Sequence, residues 1–238
     1  MFSLLPLIQL IDSAFPTGVF SHSFGLETAL QENRIQNGEE LSEWLGSYVT
    51  GNLAPMEGAA VFWAHWYADR IIADQPEKEV YRKNLRTLDR RLTLSRLSRE
   101  SREGGVKIGK RYLRIVLDLY PECGLEEYDN WIRSGESYGN ACIVHGWICA
   151  HLQQSPENAI ASHLYAGVNA LIQNALRAMP IGQTEGQKVL KSLLPVIKQE
   201  AERIVLAPPA PNRLSSHTIA QEIGAMRHET LYSRLFMS

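Results

Sequence analysis

The stretch GEELSEWLGSYV, residues 38–49, decides the fold class. Its apolar side chains recur at positions i, i+3, i+4, i+7 and i+8, and they are Leu41, Trp44, Leu45, Tyr48 and Val49. This spacing places all of them along one side of an α-helix and leaves the polar residues on the other side. The stretch therefore predicts an amphipathic helix whose apolar face packs against a core.

The same helical period recurs on both sides of this stretch. It begins at residues 4–11 and returns in blocks at about 137–152, 157–179 and 183–205. Alternating patterns typical of strands are weak throughout, and no hairpin signal lies between two such patterns. The sequence therefore predicts an all-α, single-domain bundle of about nine or ten helices.

Three local features predict where helices begin and where they are interrupted. Ser21 is expected to cap a helix that runs to about Gln31, because a serine side chain bonds the free amides of a first turn. Pro55 is expected in the first turn of the next helix, where its missing N–H costs nothing. Residues 95–111, SRLSRESREGGVKIGKR, are rich in Ser, Arg, Lys and Gly and predict a turn between two helices.

The composition is that of a globular protein with almost balanced charge. The 238 residues include 24 Lys and Arg and 26 Asp and Glu, for a formal net charge of −2. This balance argues against nucleic-acid binding through bulk charge. Three cysteines without a CxxC pair indicate a reducing compartment. No apolar run is long enough to span a membrane and no signal peptide is evident, so we expect a cytoplasmic protein.

Residues 207–238, which we call the C-terminal segment, differ from the helical body at residues 1–206. The segment opens with APPAPN, which cannot be helical and is expected to project the remainder away from the body. The remainder mixes polar residues with apolar ones, including Met226, Leu231 and Leu235. This pattern is typical of a segment that folds on meeting a partner, and equally of a C-terminal helix docked on its own domain.

One motif nearly matches a phosphate-binding loop. Residues 104–111, GGVKIGKR, fit G-x4-G-K-[ST] except that Arg111 stands where a magnesium-binding hydroxyl is required. The run that precedes it is charged, whereas a phosphate-binding loop follows a buried strand. We therefore interpret the motif as a flexible basic turn and predict no nucleotide hydrolysis.

Neither a metal site nor a nucleophile is predicted. Cys142, His145 and Cys149 share one helical face, but the two cysteines lie about 10 Å apart along the helix axis, too far to bind one ion. His151 lies just beyond them, and packing in a tight helix crossing explains the set more simply. Residues 21–23 hold two serines and a histidine, but neighbours on a helix point in different directions. We predict no catalytic residue, no metal and no cofactor.

The polar corner RAMPIGQTEGQ, residues 177–187, allows two interpretations. Pro180 and Gly182 stop one long helix, and Gln183 and Gln187 lie one turn apart on the next. The corner is either an ordinary turn between two helices or an exposed surface that binds a partner.

Three stretches, taken together, resemble the UreF family of urease accessory proteins. The first is LPLIQL at residues 5–10 with FPTGVFSHSFGLE at residues 15–27. The second is PIGQTEGQ at residues 180–187, preceded by Arg177. The third is MRHE at residues 226–229 with YSRLFMS at residues 232–238. In this order they span nearly the whole chain, so the resemblance is specific.

The resemblance implies a non-catalytic, all-α helper that acts in nickel delivery to apo-urease. Members of this family bridge a second accessory protein, UreD (also called UreH), and the GTPase UreG, and they are typically dimeric. It also implies a set of partner-binding residues in the three stretches. These are Gly18, Phe20, Ser21, His22, Gly25, Glu27, Arg177, Gln183, Arg227, His228, Glu229, Tyr232, Ser233, Arg234, Leu235 and Phe236.

Two other functions stay open beside the adaptor. In one, the protein activates the GTPase by supplying an arginine in trans, with Arg111 and Arg227 as candidates. In the other, it carries nickel directly through its histidine and cysteine residues.

Overall fold

The computed structural model describes residues 4–238, and this part of the chain is helical without a strand. Its longest feature is a continuous rod of three parts: α3 (Gly38–Tyr48), a π-helical segment (Val49–Gly58) and α4 (Ala59–Ile72). The amphipathic helix predicted from residues 38–49 is confirmed as the start of this rod. Leu41, Leu45 and Val49 are fully buried.

The prediction for Pro55 is wrong, because Pro55 lies inside the π-helical segment and begins no helix. Proline has no N–H to donate, and its ring crowds the preceding turn of an α-helix. The wider π turn is where a helix accommodates such an interruption without ending. The rod therefore continues past the proline.

Four of the remaining helices make extensive contacts with this rod. Counted with the rod as one, residues 4–238 contain ten helices of six or more residues, which confirms the all-α prediction. They are α1 (Leu5–Ile11), α2 (Leu26–Gln31), α5 (Lys78–Ser95), α6 (Arg99–Leu119), α7 (Glu126–Arg133), α8 (Ala141–His151), α9 (Pro156–Ala178), α10 (Gln183–Leu206) and α11 (Ile219–Arg227). The four that contact the rod extensively are α5, α8, α9 and α10. None of the described helices is both long enough and apolar enough to cross a membrane.

The core is centred on α8, which packs against α4, α6 and α9. All nine of its residues from Cys142 to Ala150 are buried, and Ala150 is only 7% exposed. A second anchor is Asp89 on α5, which is fully buried and accepts hydrogen bonds from the Tyr128 hydroxyl (2.9 Å) and the Asn140 side-chain amide (2.7 Å). This carboxylate ties α5 to α7 and to the start of α8.

Two predicted boundaries are corrected. Residues 99–111 are helical, so the turn expected over residues 95–111 shrinks to the short link between α5 and α6, where Ser98 caps α6 by accepting from the Ser101 amide. Ser21 caps no helix, since α2 begins at Leu26, directly after Gly25. The first error arises because glycine and serine are common in turns, whereas tertiary packing places those of residues 99–111 within a helix.

The C-terminal segment lies on the body, so the expectation that it projects away is wrong. The Trp63 indole donates a hydrogen bond to the Pro209 carbonyl (2.7 Å), and the His217 amide donates to the Gly51 carbonyl (2.6 Å). Helix α11 then packs against α2. In this structure the segment is a C-terminal helix and tail docked on their own domain.

Candidate partner-binding site

The N-terminal loop and the end of the chain meet on one side of the bundle. The loop, residues 12–25, contains one 3₁₀ turn (Val19–Ser21) and leads into α2. The last residues, 228–238, which we call the tail, leave α11 through a second 3₁₀ turn (His228–Thr230). Two of the three stretches that carry the family resemblance are therefore adjacent in space.

His228 is the buried centre of this contact. Its side chain has no exposed surface, and its two ring nitrogens lie 2.9 Å from Glu27 Oε2 and 2.7 Å from Glu100 Oε2. Both of these atoms are acceptors when the carboxylates are ionised, so the ring bonds both only as an imidazolium. His228 thus joins the tail to α2 and to α6 at once.

The two carboxylates also hold the chain beyond His228. Glu27 accepts from the backbone amides of Leu235 (2.6 Å) and Phe236 (3.1 Å), and Glu100 accepts from the Arg234 guanidinium (2.8 Å). Two carboxylates therefore face one imidazolium and one guanidinium, which balances the charge of a cluster largely removed from water. Breaking any one pair leaves a charge without compensation.

The final residue, Ser238, is buried in the N-terminal loop. Its carbonyl oxygen accepts from the Ser23 hydroxyl (2.6 Å) and the Phe24 amide (3.2 Å), and its hydroxyl lies 2.8 Å from His22 Nδ1. Burial, reinforced by the charge of Lys107, lowers the pKa of His22. The neutral imidazole suits this hydroxyl contact.

Helix α9 closes the site from the third side through its last turn. The Arg177 guanidinium donates to the Phe20 carbonyl (3.0 Å) and lies 5.0 Å from the centre of the Phe236 ring, a cation–π contact. One turn earlier, the Asn174 amide donates to the His22 carbonyl (2.8 Å). Arg177 thus connects the N-terminal loop to the tail.

Gly25 permits the close approach of α11. Its φ of +92° lies in the region that favours glycine, and a Cβ there would come within 3.0 Å of the Ala225 amide nitrogen and the Gln221 carbonyl oxygen. Glycine at position 25 is therefore required by the close contact between the start of α2 and α11.

The rim of the site is held by ion pairs, of which Arg227 with Glu32 (2.6 Å) is one.

The predicted residues fall into three groups. The first group builds the contact between loop, tail and α9, and it comprises Gly18, Phe20, Ser21, His22, Gly25, Glu27, Arg177, His228, Arg234, Leu235 and Phe236. The second lies at its rim: Arg227 pairs with Glu32, Glu229 with Arg99, and the Ser233 carbonyl accepts from Gln31. The third contains Tyr232, which is fully exposed, and Gln183, which is exposed at the start of α10.

Sequence reasoning missed the residues that receive the tail. Glu100 is the most important of them and Ser23 is another, while Asn174, also missed, bonds the His22 carbonyl of the N-terminal loop. Glu100 lies in the charged run SRESRE, residues 98–103, and no feature of the sequence distinguishes it from the other charged residues there. Its role depends on a partner that is distant in sequence.

A second polar cluster lies inside the bundle, beside a cavity of about 130 Å³. Glu57 on the π-helical segment pairs with Arg96 and with His163, whose Nε2 lies 2.7 Å away. Burial opposes the charge of Glu57, but the Arg96 charge and the bond to His163 outweigh burial and lower the pKa of Glu57 to about 2. Glu57 is therefore an ionised, internally paired carboxylate.

Cys142, His145 and Cys149, which share one face of α8, are all buried in the structure. Burial lowers the pKa of His145 to about 3, and its ring nitrogens lie 2.9 Å from the Tyr112 hydroxyl at Nδ1 and 2.9 Å from the Ser162 hydroxyl at Nε2. Burial also raises the pKa of the Cys142 and Cys149 thiols. Across residues 4–238 no group of three or more His, Cys, Asp or Glu side chains is arranged to hold a metal ion.

Fold and site together define the class: an all-helical protein whose tail is fixed in its own N-terminal loop by a buried, charge-balanced cluster. The chain belongs to the UreF family, whose model matches residues 35–194. It is 38% identical over 235 residues to the urease accessory protein UreF of Bacillus sp. (strain TB-90), which covers 99% of both chains. It is 37% identical to that of Lachnoclostridium phytofermentans, covering 98% of both chains, and 34% identical to that of Kocuria rhizophila, covering 99% of this chain and 97% of the relative.

Proposed function

We propose that this protein is a non-catalytic adaptor in the nickel-dependent assembly of the urease metallocentre. In this role it bridges a UreD/UreH-like protein and a UreG-like GTPase, acts on apo-urease, and works as a homodimer. Membership of the UreF family, and the name urease accessory protein carried by its relatives, support this role. Three buried cysteines outside any disulfide fit a reducing compartment, which supports action in the cytoplasm.

The observation that carries the adaptor role is the display of large side chains by a fixed tail. Tyr232 is fully exposed, and Leu235 and Met237 are 50% and 57% exposed, although their neighbours Phe236 and Ser238 are buried. Exposed apolar and aromatic side chains on a rigid support are typical anchors of protein interfaces. The buried cluster at His228 supplies that support. Since it orders the tail before any partner binds, the tail loses less conformational entropy on binding.

The experiment substitutes only the displayed side chains. A Tyr232→Ala, Leu235→Ala, Met237→Ala variant retains the buried contacts of the tail, so we expect the same melting temperature and loss of co-purification with the UreD-like protein. The matched control replaces exposed leucines elsewhere, Leu194→Ala and Leu206→Ala, and is expected to co-purify normally. Undiminished co-purification of the tail variant would refute the proposed surface.

A second candidate is regulation of the UreG-like GTPase by an arginine supplied in trans. Arg111 suits this role better than Arg227, since Arg111 is exposed without an ion pair among the described residues, whereas Arg227 is engaged by Glu32. Phosphate release by the GTPase with magnesium and nickel, compared between the wild-type chain and Arg111→Ala, tests this function. A drop specific to Arg111→Ala would favour the regulator over the adaptor.

A further inference from the structure

The near-match to a phosphate-binding loop has a different use in the folded protein. Residues 104–111 lie within α6, so their backbone amides belong to the helix and form no phosphate cradle. Four cations of this region, Lys107, Lys110, Arg111 and Arg114, are all exposed. Their spacing of i, i+3, i+4 and i+7 places them along one helix face over about 10 Å. We call them the basic stripe.

The opposite face of α6 fixes the orientation of the stripe. On that face a Cβ at Gly109 would lie 2.0 Å from the Gly139 carbonyl oxygen, and on the flank of the helix beside the stripe one at Gly104 would lie 2.6 Å from His22 Nδ1. The helix therefore packs against its neighbours through glycines, at a distance that no larger residue allows. Because this face is packed closely, the backbone positions that carry the four cations are fixed relative to the body.

The stripe carries positive charge that the protein itself does not neutralise. Several cations elsewhere lie within 4 Å of carboxylates, among them Arg82, Arg96 and Arg234, and the unpaired ones are not grouped four to a helix face as in the stripe. No member of the stripe forms an ion pair or a side-chain hydrogen bond within residues 4–238, even though Glu103 precedes Lys107 by four residues, a spacing that favours pairing. Uncompensated charge on a rigid helix face attracts an oppositely charged surface.

We propose that the basic stripe docks an acidic segment of a protein partner. Glu103 and Asp118 bound the stripe at its two ends, so its positive field is short and matches a short acidic segment. A nucleic acid would run past both ends and meet these carboxylates, and its affinity depends on many phosphate contacts. The stripe is a surface distinct from the tail, so this inference goes beyond the adaptor role proposed above.

The basic stripe lies next to the N-terminal loop, so a partner bound to the stripe also reaches the loop. A Cβ at Gly18 would lie 3.6 Å from Arg111 Nη1. A partner whose acidic segment lies on α6 is therefore placed beside the loop that also receives the tail.

The test uses charge reversal on the full chain. The stripe variant is Lys107→Glu, Lys110→Glu, Arg114→Glu. The matched control is Lys83→Glu, Arg90→Glu, Lys191→Glu, which changes the net charge equally at exposed cations without an ion pair among the described residues. Circular dichroism and melting temperature establish that both variants are folded. Each protein is then labelled and titrated with the UreG-like GTPase, the UreD-like protein, apo-urease and a DNA duplex, at low and high salt.

We expect at least one of the three proteins to bind the stripe variant roughly tenfold more weakly than the wild type, with a smaller salt dependence, while the control binds normally. Equal affinities of the stripe variant and the wild type for all three proteins would overturn the proposal. Equal losses in stripe variant and control would also overturn it, as would stripe-dependent binding of the DNA duplex alone. The alanine variant of the tail, titrated in parallel, separates failure of this proposal from failure of the adaptor role.

Discussion

Replacing His228 by alanine tests the buried cluster, and the structure sets the size of the effect. The substitution removes the cation between Glu27 and Glu100, whose side chains are only 5% and 14% exposed. Leaving a buried charge without its partner costs about 3–5 kcal/mol. We expect the middle of the tail to detach before the bundle unfolds, because the hydrogen bonds of Arg234, Leu235 and Phe236 converge on these two carboxylates. The protection of the Leu235 and Phe236 amides should fall by a factor of about 2 × 10² to 5 × 10³.

Hydrogen exchange measured by NMR reads this effect residue by residue. Amides of α8 in the core serve as the internal reference and should keep their protection in the variant. Arg99→Ala is the control, because it removes an ion pair with Glu229 in which Arg99 is 62% exposed, and such pairs contribute about 1 kcal/mol or less. Unchanged protection of Leu235 and Phe236 in His228→Ala would refute the view that this cluster holds the tail.

Three further results are expected. The free energy of unfolding, measured with urea across pH, should decrease as the pH falls below about 6.5, because a histidine in the unfolded chain then binds a proton that buried His145, with its pKa of about 3, does not bind. Below about pH 4.5 the decrease should become steeper. In this range the unfolded chain protonates Glu57 more readily than the native protein does, since the native pKa of Glu57 is about 2. A flat profile from neutral to acid pH would contradict both assignments. Gly25→Ala should lower the stability of the docked α11 by about 1–3 kcal/mol, owing to the positive φ and the close Ala225 contact, and faster exchange of the α11 amides would register it. Asp89→Ala should reduce the free energy of unfolding by about 1–3 kcal/mol, since it leaves the buried Tyr128 hydroxyl without its acceptor, and a urea midpoint equal to that of the wild type would rule this out.

The fold class was predictable because helical periodicity is a local property. The apolar pattern of residues 38–49 predicts an amphipathic helix, and the structure contains this helix as α3. Pro55 was misplaced because a π-helical turn leaves no separate mark in the sequence. Residues 99–111 were misassigned because glycines that permit close helix packing have the same letter as glycines that form turns, and only the neighbours, such as His22 beside Gly104, distinguish the two.

The candidate site was predictable only in part. The resemblance identified His228, Glu27 and Arg234 as residues of interest, but their pairing joins parts of the chain that are far apart in sequence. Glu100 was not found, because a carboxylate in a charged run resembles any solvated residue until the fold brings His228 to it. Gln183 was included on resemblance, yet it lies exposed at the start of α10, outside the contacts that hold the tail.

We propose that this chain joins two assembly partners through the surface that its docked tail displays. The most direct measurement is size-exclusion chromatography with light scattering of the full chain mixed with the UreD-like protein and the UreG-like GTPase. The account predicts one complex whose mass requires all three proteins, and its loss when Tyr232, Leu235 and Met237 are replaced by alanine. A chain that elutes alone as a monomer with both partners present would contradict it.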